Sequence, residues 1–288
     1  MDPVDLLDRC DFPAGHLDLA VSGGADSVAM ALLARTADRS FTIWHVHHGL
    51  TSAADDAADA VAKLAADLGV GCEVRRVTID AGSDLEARAR EARYAVLPEN
   101  VCVAHTADDR AETVLLNLFR GAGLAGVAAR MDRVHRPLLS LRRRETEQVC
   151  AVHGYVPVAD PMNDDPSYRR VAVRRFVVPA AADAFGRDVV PLLNRHADLV
   201  RDALAVIEAA AAEIDSTDVR ALRTAPRAVA TTALRTWIAA EVGTAAGLDL
   251  AALDRAMAVV DGTHKATELP GGHRLARTEG VLRIERWP

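Results

Sequence analysis

The chain has 288 residues, 50% of them hydrophobic and 26% charged, which is enough for one large core or a domain with an appendix and too apolar for disorder. No apolar run approaches the ~18 residues of a membrane span, and the acidic start "MDPVDLLDRC" lacks the basic-then-apolar order of an export signal. The formal net charge of −7 argues against a nucleic-acid partner, although ten arginines against six acids between Arg130 and Arg175 leave room for a local basic face.

On charge alone a solvated helix face is the plainer reading of that run. Cys10, Cys72, Cys102 and Cys150 are scattered and form no metal-clip spacing. Reduced thiols and a cytoplasmic location are the expectation.

In chain order, "HLDLAV" (His16–Val21) predicts a strand, then a glycine loop, then a helix over Ser27–Ala37. Phe41–Val46 predicts a second strand, and Ala53–Leu68 a helix with Val61, Leu64, Ala65 and Leu68 on one face. Cys72–Ile79 predicts a third strand. A helix over Asp84–Val96 opens on the capping Ser83, with Glu86 three residues later. Val101–His105 predicts a fourth strand and Ala107–Phe119 the helix after it. This alternation specifies an α/β fold, a parallel sheet with helices on both faces. Its ligands belong at the carboxyl ends of the strands.

Beyond about Pro191 the strand patterns stop. Pro191–Ile214 predicts one long amphipathic helix, Pro226–Val242 and Asp249–Val260 two more, and the tail a small β-hairpin turning near Thr278–Gly280. The expected organisation is a nucleotide domain over 1–190, a connecting helix over 191–215 and a small, mainly helical domain with a hairpin over 216–288.

Three polar clusters follow strands. In "SGGADS", Ser22, Gly23, Gly24, Ala25, Asp26 and Ser27 form a strand–helix turn whose backbone N–H groups converge on an anion. The lysine of a Walker A loop is absent. Asp26 beside a phosphate would repel it unless a cation lay between them, which points to Mg²⁺. In "AHTADDRAET", His105 ends a strand, and Asp108, Asp109 and Glu112 open the next helix with the last two on one face. Such acids cap helices. Opposite a phosphate loop they could also serve Mg²⁺ or a substrate amine. In "HVHHGL", His45, His47 and His48 point in different directions along a strand end, which suits nucleobase contact better than zinc. "GAGLAG" (Gly121–Gly126) fits a dinucleotide pattern, but it follows a helix rather than a strand and reads as a helix end.

The loop resembles SGGxDS of the N-type ATP pyrophosphatases, which cleave ATP between the α and β phosphates. Further motifs narrow the resemblance. Glu86, Arg90, Arg93 and Tyr94 match E-x-x-x-R-x-x-R-Y. His105, Asp108, Asp109, Ala111, Glu112 and Thr113 match H-x-x-D-D-x-A-E-T. Arg120–Gly126 matches R-G-x-G-x-x-G, and Arg136–Leu139 matches R-P-L-L. Asn163, Asp165, Tyr168, Arg170 and Arg174 fit a loop of the form S-N-x-D-x-x-Y-x-R-N-x-x-R. In this order the set resembles the bacterial tRNA(Ile)-lysidine synthetases over most of the chain. Departures stand at His47, Thr51, Arg110, Met162 and Val171.

The resemblance implies ligation of L-lysine to C2 of the wobble cytidine in the CAU anticodon of tRNA(Ile), through an adenylated base, with AMP and pyrophosphate released. It implies ATP on Ser22–Ser27, with His47 and His105 nearby. Mg²⁺ falls to Asp26 and Asp109. The catalytic set is Asp26, Asp109, Arg170 and Arg90. Substrate contacts fall to Glu112, Arg93, Arg120, Asn163, Asp165, Arg174, Arg142 and Arg143, the last two within the basic run facing tRNA phosphates. No membrane partner is expected, and the oligomeric state stays open, a homodimer included. A tRNA thiolase would need cysteine pairs, and a glutamine amidotransferase would need a glutaminase domain. A non-catalytic nucleotide-binding module would have no use for Asp109, Glu112 and Arg170 in this order.

Overall fold

Four strands, β1 (Leu17–Ala20), β2 (Phe41–His47), β3 (Gly71–Arg76) and β4 (Cys102–Val103), form one parallel sheet in the order β3-β2-β1-β4. Helices α1 (Ala25–Thr36), α2 (Ala53–Leu68), α3 (Leu85–Val96) and α4 (Ala107–Phe119) follow the four strands in turn. The computed structural model describes residues 2–47, 53–77, 85–128, 134–158, 165, 167–244 and 247–287, the side chains of 85–87 and 89–91 excepted.

β1 and β2 are buried on one face and partly buried on the other, as strands covered by helices are, whereas the edge strand β3 is largely exposed. Leu17, Leu19, Val21, Phe41 and Ile43 join α1 and α2 residues in one core. Ala20, Trp44 and Val46 pack with Tyr94, Leu97, Val101 and Val103 in another. Leu19 is fully buried at the middle of β1. Leu19→Ala is therefore expected to cost about 2–5 kcal/mol in urea unfolding, and a loss below about 1 kcal/mol would contradict this packing.

Three strands are shorter than predicted, β1 among them, which spans Leu17–Ala20 where His16–Val21 was expected. β3 ends at Arg76, and Ile79, the predicted end, lies outside the described residues. β4 is only two residues long, because past Val103 the chain leaves the ladder and Thr106 caps α4. Val103 also donates to the carbonyl of His135, which extends the pairing on that side.

After α4 come the short α5 (Leu124–Val127) and α6 (Arg143–Val152), neither of them predicted. The α6 residues Val149 and Cys150 are buried in the same core as α1. Next, α7 (Arg169–Ala172) runs through a π-helical turn, Val173–Val177, into α8 (Val178–Phe185). The long helix predicted over Pro191–Ile214 is α9 (Val190–Ala212).

By compactness the first unit comprises Met1–Ala122 and Ala129–Ala197, and the second Gly123–Ala128 and Asp198–Pro288. The second unit has its own core. In it, α10 (Val219–Thr224), α11 (Arg227–Val242) and α12 (Leu250–Asp261) bury Leu222, Leu234, Ile238 and Val260 with Leu275 and Leu282. The predicted hairpin is β6 (His273–Thr278) with β7 (Val281–Arg286), and a third antiparallel strand, β5 (Ala266–Leu269), was not anticipated. Among the described residues no helix is long and apolar enough to cross a membrane.

Candidate active site

The strand order places the site. The chain lays down β1, β2 and β3 in one direction and then sets β4 on the other side of β1. Ligand crevices in open parallel sheets form at such a reversal, outside the carboxyl ends of the strands. Here α1 and α4 begin at the ends of the neighbouring strands β1 and β4.

At the end of β1, Gly24 caps α1 and leaves the first N–H groups of the helix without helical partners. Gly23 has a φ of 93°, a region that strains side chains. Its carbonyl accepts from the N–H of Val158 at 3.0 Å, and an added Cβ would meet the Val158 methyl at 3.5 Å. Inside the turn, the Ser27 hydroxyl donates to the Gly24 carbonyl at 2.9 Å and accepts from the Ser22 N–H at 3.1 Å. Ser22 Oγ lies 3.2 Å from it, and Ser22 is exposed. The predicted loop residues thus stand together as a shaped, positively polarised turn that suits an anion.

Asp26 sits in the first turn of α1. Its carboxylate accepts from the Thr146 hydroxyl and lies 3.5 Å from Arg143 Nε. Burial pushes its carboxyl up to about 6 against the pull of the Thr146 hydrogen bond, and the charge of Asp109 adds to the rise.

At the start of α4, Asp109 accepts from Thr106 N–H at 2.8 Å and from the Thr106 hydroxyl at 2.9 Å. Its other oxygen meets Arg143 at 3.0 Å, Arg170 at 3.4 Å and Arg174 at 3.9 Å. Burial alone would raise the Asp109 carboxyl, but Arg143, Arg170 and the Thr106 N–H outweigh it and hold the group below its ordinary value. One turn on, the Glu112 side chain is only 2% exposed and pairs with Arg143 at 3.1 Å, Arg170 at 3.0 Å and Arg174 at 2.8 Å. An acid so buried is retained only when paired. The three acids expected from the sequence therefore converge, and with them the expected Arg170 and Arg174.

Arg142 and Arg143, expected as substrate contacts within the basic run, are part-buried and paired with acids here. They do not stand on an outward basic run. Arg143 joins the three acids, and Arg142 makes a two-pronged pair with Asp108 at 3.0 Å for both contacts and also bonds Asp188. Asp108 additionally accepts the Arg143 backbone N–H at 2.8 Å. The physical cause is the cost of unpaired buried acids, which draw in the cations that α6 presents. Of the triplet, Arg144 is the exposed one.

The remaining expectations fall further out. His105 accepts from Arg136 Nε at 3.2 Å, which gives R-P-L-L a role in holding the end of β4. His47 is buried and pairs with Asp55 at 2.9 Å, and His45 is buried against the Val21 carbonyl at 2.8 Å. Burial lowers the pKa of His45, so a neutral structural role fits it. Arg93 and Arg120 are exposed on α3 and at the end of α4. Asp165 is exposed and accepts from Ser167 N–H at 2.9 Å. The side chain of Arg90, and Asn163, His48 and Thr51, lie outside the described residues. The sequence offered no signal for Thr146 or Asp188, whose partners lie far away along the chain.

A PP-loop domain family matches residues 5–181. The chain is 38% identical over 249 residues to the tRNA(Ile)-lysidine synthase of Nocardia farcinica, covering 81% of this chain and 78% of that protein. It is 37% identical over 303 residues to that of Thermobifida fusca, covering 94% and 92%. Among solved structures, a U34-tRNA thiolase of Methanococcus maripaludis with its [4Fe-4S] cluster is similar in fold. Its TM-score is 0.51 at 14% identity, covering 69% of this chain and 77% of that one.

Proposed function

The chain belongs to the tRNA(Ile)-lysidine synthase family of PP-loop proteins, and from that membership we propose how its residues divide the reaction. It is an ATP-using ligase that modifies tRNA(Ile). We read the acceptor as the wobble cytidine of a CAU anticodon and the second substrate as L-lysine. The observation that carries this reading is the meeting of Asp26, Asp109 and Glu112 beside the Ser22–Ser27 turn, where β1 and β4 end.

In this reading the α1 N–H groups and the two loop hydroxyls hold the ATP phosphates. Asp26, in the first turn of α1, would hold Mg²⁺, and Asp109 would serve the amine rather than the metal. The donor chemistry fits, since Mg²⁺ takes oxygen ligands and is held by one or two carboxylates with phosphate oxygens and water, and the Asp26 carboxylate stands in the first turn of the helix that follows the phosphate turn. That ion supplies neutralisation of the departing pyrophosphate. The cytidine leaves the stack, as loop bases can. Its O2 attacks the α phosphorus as the bond to the β-phosphate oxygen breaks. Arg170, with Arg90, stabilises the charge that develops.

The lysine ε-amine then attacks C2 and AMP departs. Asp109 and Glu112 hold that amine, and Asp109 takes its proton. Arg93, Arg120, the exposed Arg144 and the second unit would meet tRNA phosphates.

Incubation with ATP, labelled lysine and total bacterial tRNA is expected to label isoleucine tRNA and to release AMP and pyrophosphate. Release of ADP and phosphate instead would overturn the assignment of the loop.

A further inference from the structure

Arg143 opens α6 and reaches three acids brought in by two other helices, Asp26 from α1 and Asp109 and Glu112 from α4. Its guanidinium keeps its proton firmly: burial works against the charge, but Asp109, Glu112 and Asp26 together more than compensate. Arg170 and Arg174 arrive from α7 and the π-helical turn, and both pair with Asp109 and Glu112. Among the described residues, Arg143 is the arginine of the three that also contacts Asp26. The Thr146 hydroxyl, 2.7 Å from the Arg143 backbone carbonyl, shares its one proton between that carbonyl and Asp26, so α6 reaches Asp26 through both Arg143 Nε and Thr146.

Among the described residues the two acids of the amine side, Asp109 and Glu112, face three guanidinium groups, one cation in excess, so the substrate-free pair repels a lysine ammonium. A nucleotide triphosphate beside Asp26 adds about four negative charges and competes for the nearest cation. Arg143 is that cation, because among the described residues it is the one of the three that contacts Asp26 as well as Asp109 and Glu112. Once it turns toward the phosphates, Asp109 and Glu112 face two arginines only, and the excess positive charge that opposed an ammonium group is gone.

Resting on the amine-site reading above, we propose that Arg143 is a positioning residue that couples the two small substrates: it closes the Asp109–Glu112 pair in the free enzyme and yields it when ATP binds. Lysine therefore binds tightly only after nucleotide. The coupling is reciprocal by linkage, so lysine must tighten nucleotide binding by the same factor.

The test is equilibrium dialysis of labelled lysine against the full chain, with and without Mg²⁺ and an ATP analogue that cannot be cleaved between the α and β phosphates. Wild type is expected to gain about tenfold or more in lysine affinity with the analogue, and Arg143→Gln to change by less than about twofold. Arg143→Lys, which keeps a mobile cation, is expected to restore most of the coupling, and circular dichroism confirms that each variant is folded. Absence of coupling in wild type overturns the proposal, as does its persistence in Arg143→Gln. Glu112→Gln separates the two levels. Undiminished lysine binding in that variant overturns the amine-site reading itself. Lost binding there, together with intact coupling in Arg143→Gln, overturns only the role of Arg143.

Discussion

Asp26→Asn is expected to abolish the release of pyrophosphate from ATP in the presence of tRNA, with a loss of about a hundredfold or more. The amide keeps the shape of the side chain and can still accept from Thr146. It removes the anion beside the phosphate turn, and with it the charge that offsets Mg²⁺ next to the nucleotide.

Stability should respond in the opposite sense. Burial raises the Asp26 carboxyl to about 6 from the ordinary 3.8. Between those pH values the folded protein holds more protons at this site than the unfolded chain, so stability falls as pH rises through the window. Above it, the ionised group burdens the fold. At pH 7 to 8 the Asn variant should therefore resist urea as well as wild type or better, and its stability should lack this descent. A variant that is inactive and also much less stable would mean that Asp26 holds the fold together. Near-normal pyrophosphate release would remove "SGGADS" from the chemistry.

Local pattern carried the reading of the sheet and of each half of the site. Strands and helices over His16–Phe119 were legible because a buried parallel sheet writes apolar runs separated by helical spacing. Asp109 and Glu112 were legible as one-face neighbours because three residues make most of a helical turn. Across the chain the signal failed. Thr146 bonds an acid 120 positions away, and nothing in "RRRETEQVC" marks one threonine as the partner of Asp26. The same stretch hid α6, whose short buried face of Glu145, Thr146, Val149 and Cys150 is half polar. Arginine misled most. A run of three arginines reads as a basic surface, yet Arg142 and Arg143 serve acids that the sequence places far from them. Charge counted along a chain does not say whether a cation faces solvent or a buried carboxylate.

Asp109 then decides which half-reaction α4 serves. One of its oxygens is occupied by the Thr106 N–H and hydroxyl, and the other faces Arg143 and Arg170 on the Glu112 side. That geometry aligns Asp109 with Glu112 more closely than with the phosphate turn. Asp109→Asn, whose amide oxygen can still cap the helix, is therefore expected to form adenylated tRNA at a rate near that of wild type. It should then transfer lysine about a hundredfold more slowly, since the amine loses the group that takes its proton. The measurement is pyrophosphate release with tRNA present and lysine absent, followed by a lysine chase that reads AMP and labelled tRNA. Failure at the first step would assign Asp109 to the metal beside Asp26. Near-normal rates at both steps would return it to the role of a helix cap. Glu112→Gln is the partner experiment. If both acids hold the amine, it should also spare adenylation and raise the lysine concentration needed for transfer. A raised KM with kcat preserved marks binding shared by ground state and transition state, whereas a fall in kcat with KM preserved marks an interaction made only as the new bond forms.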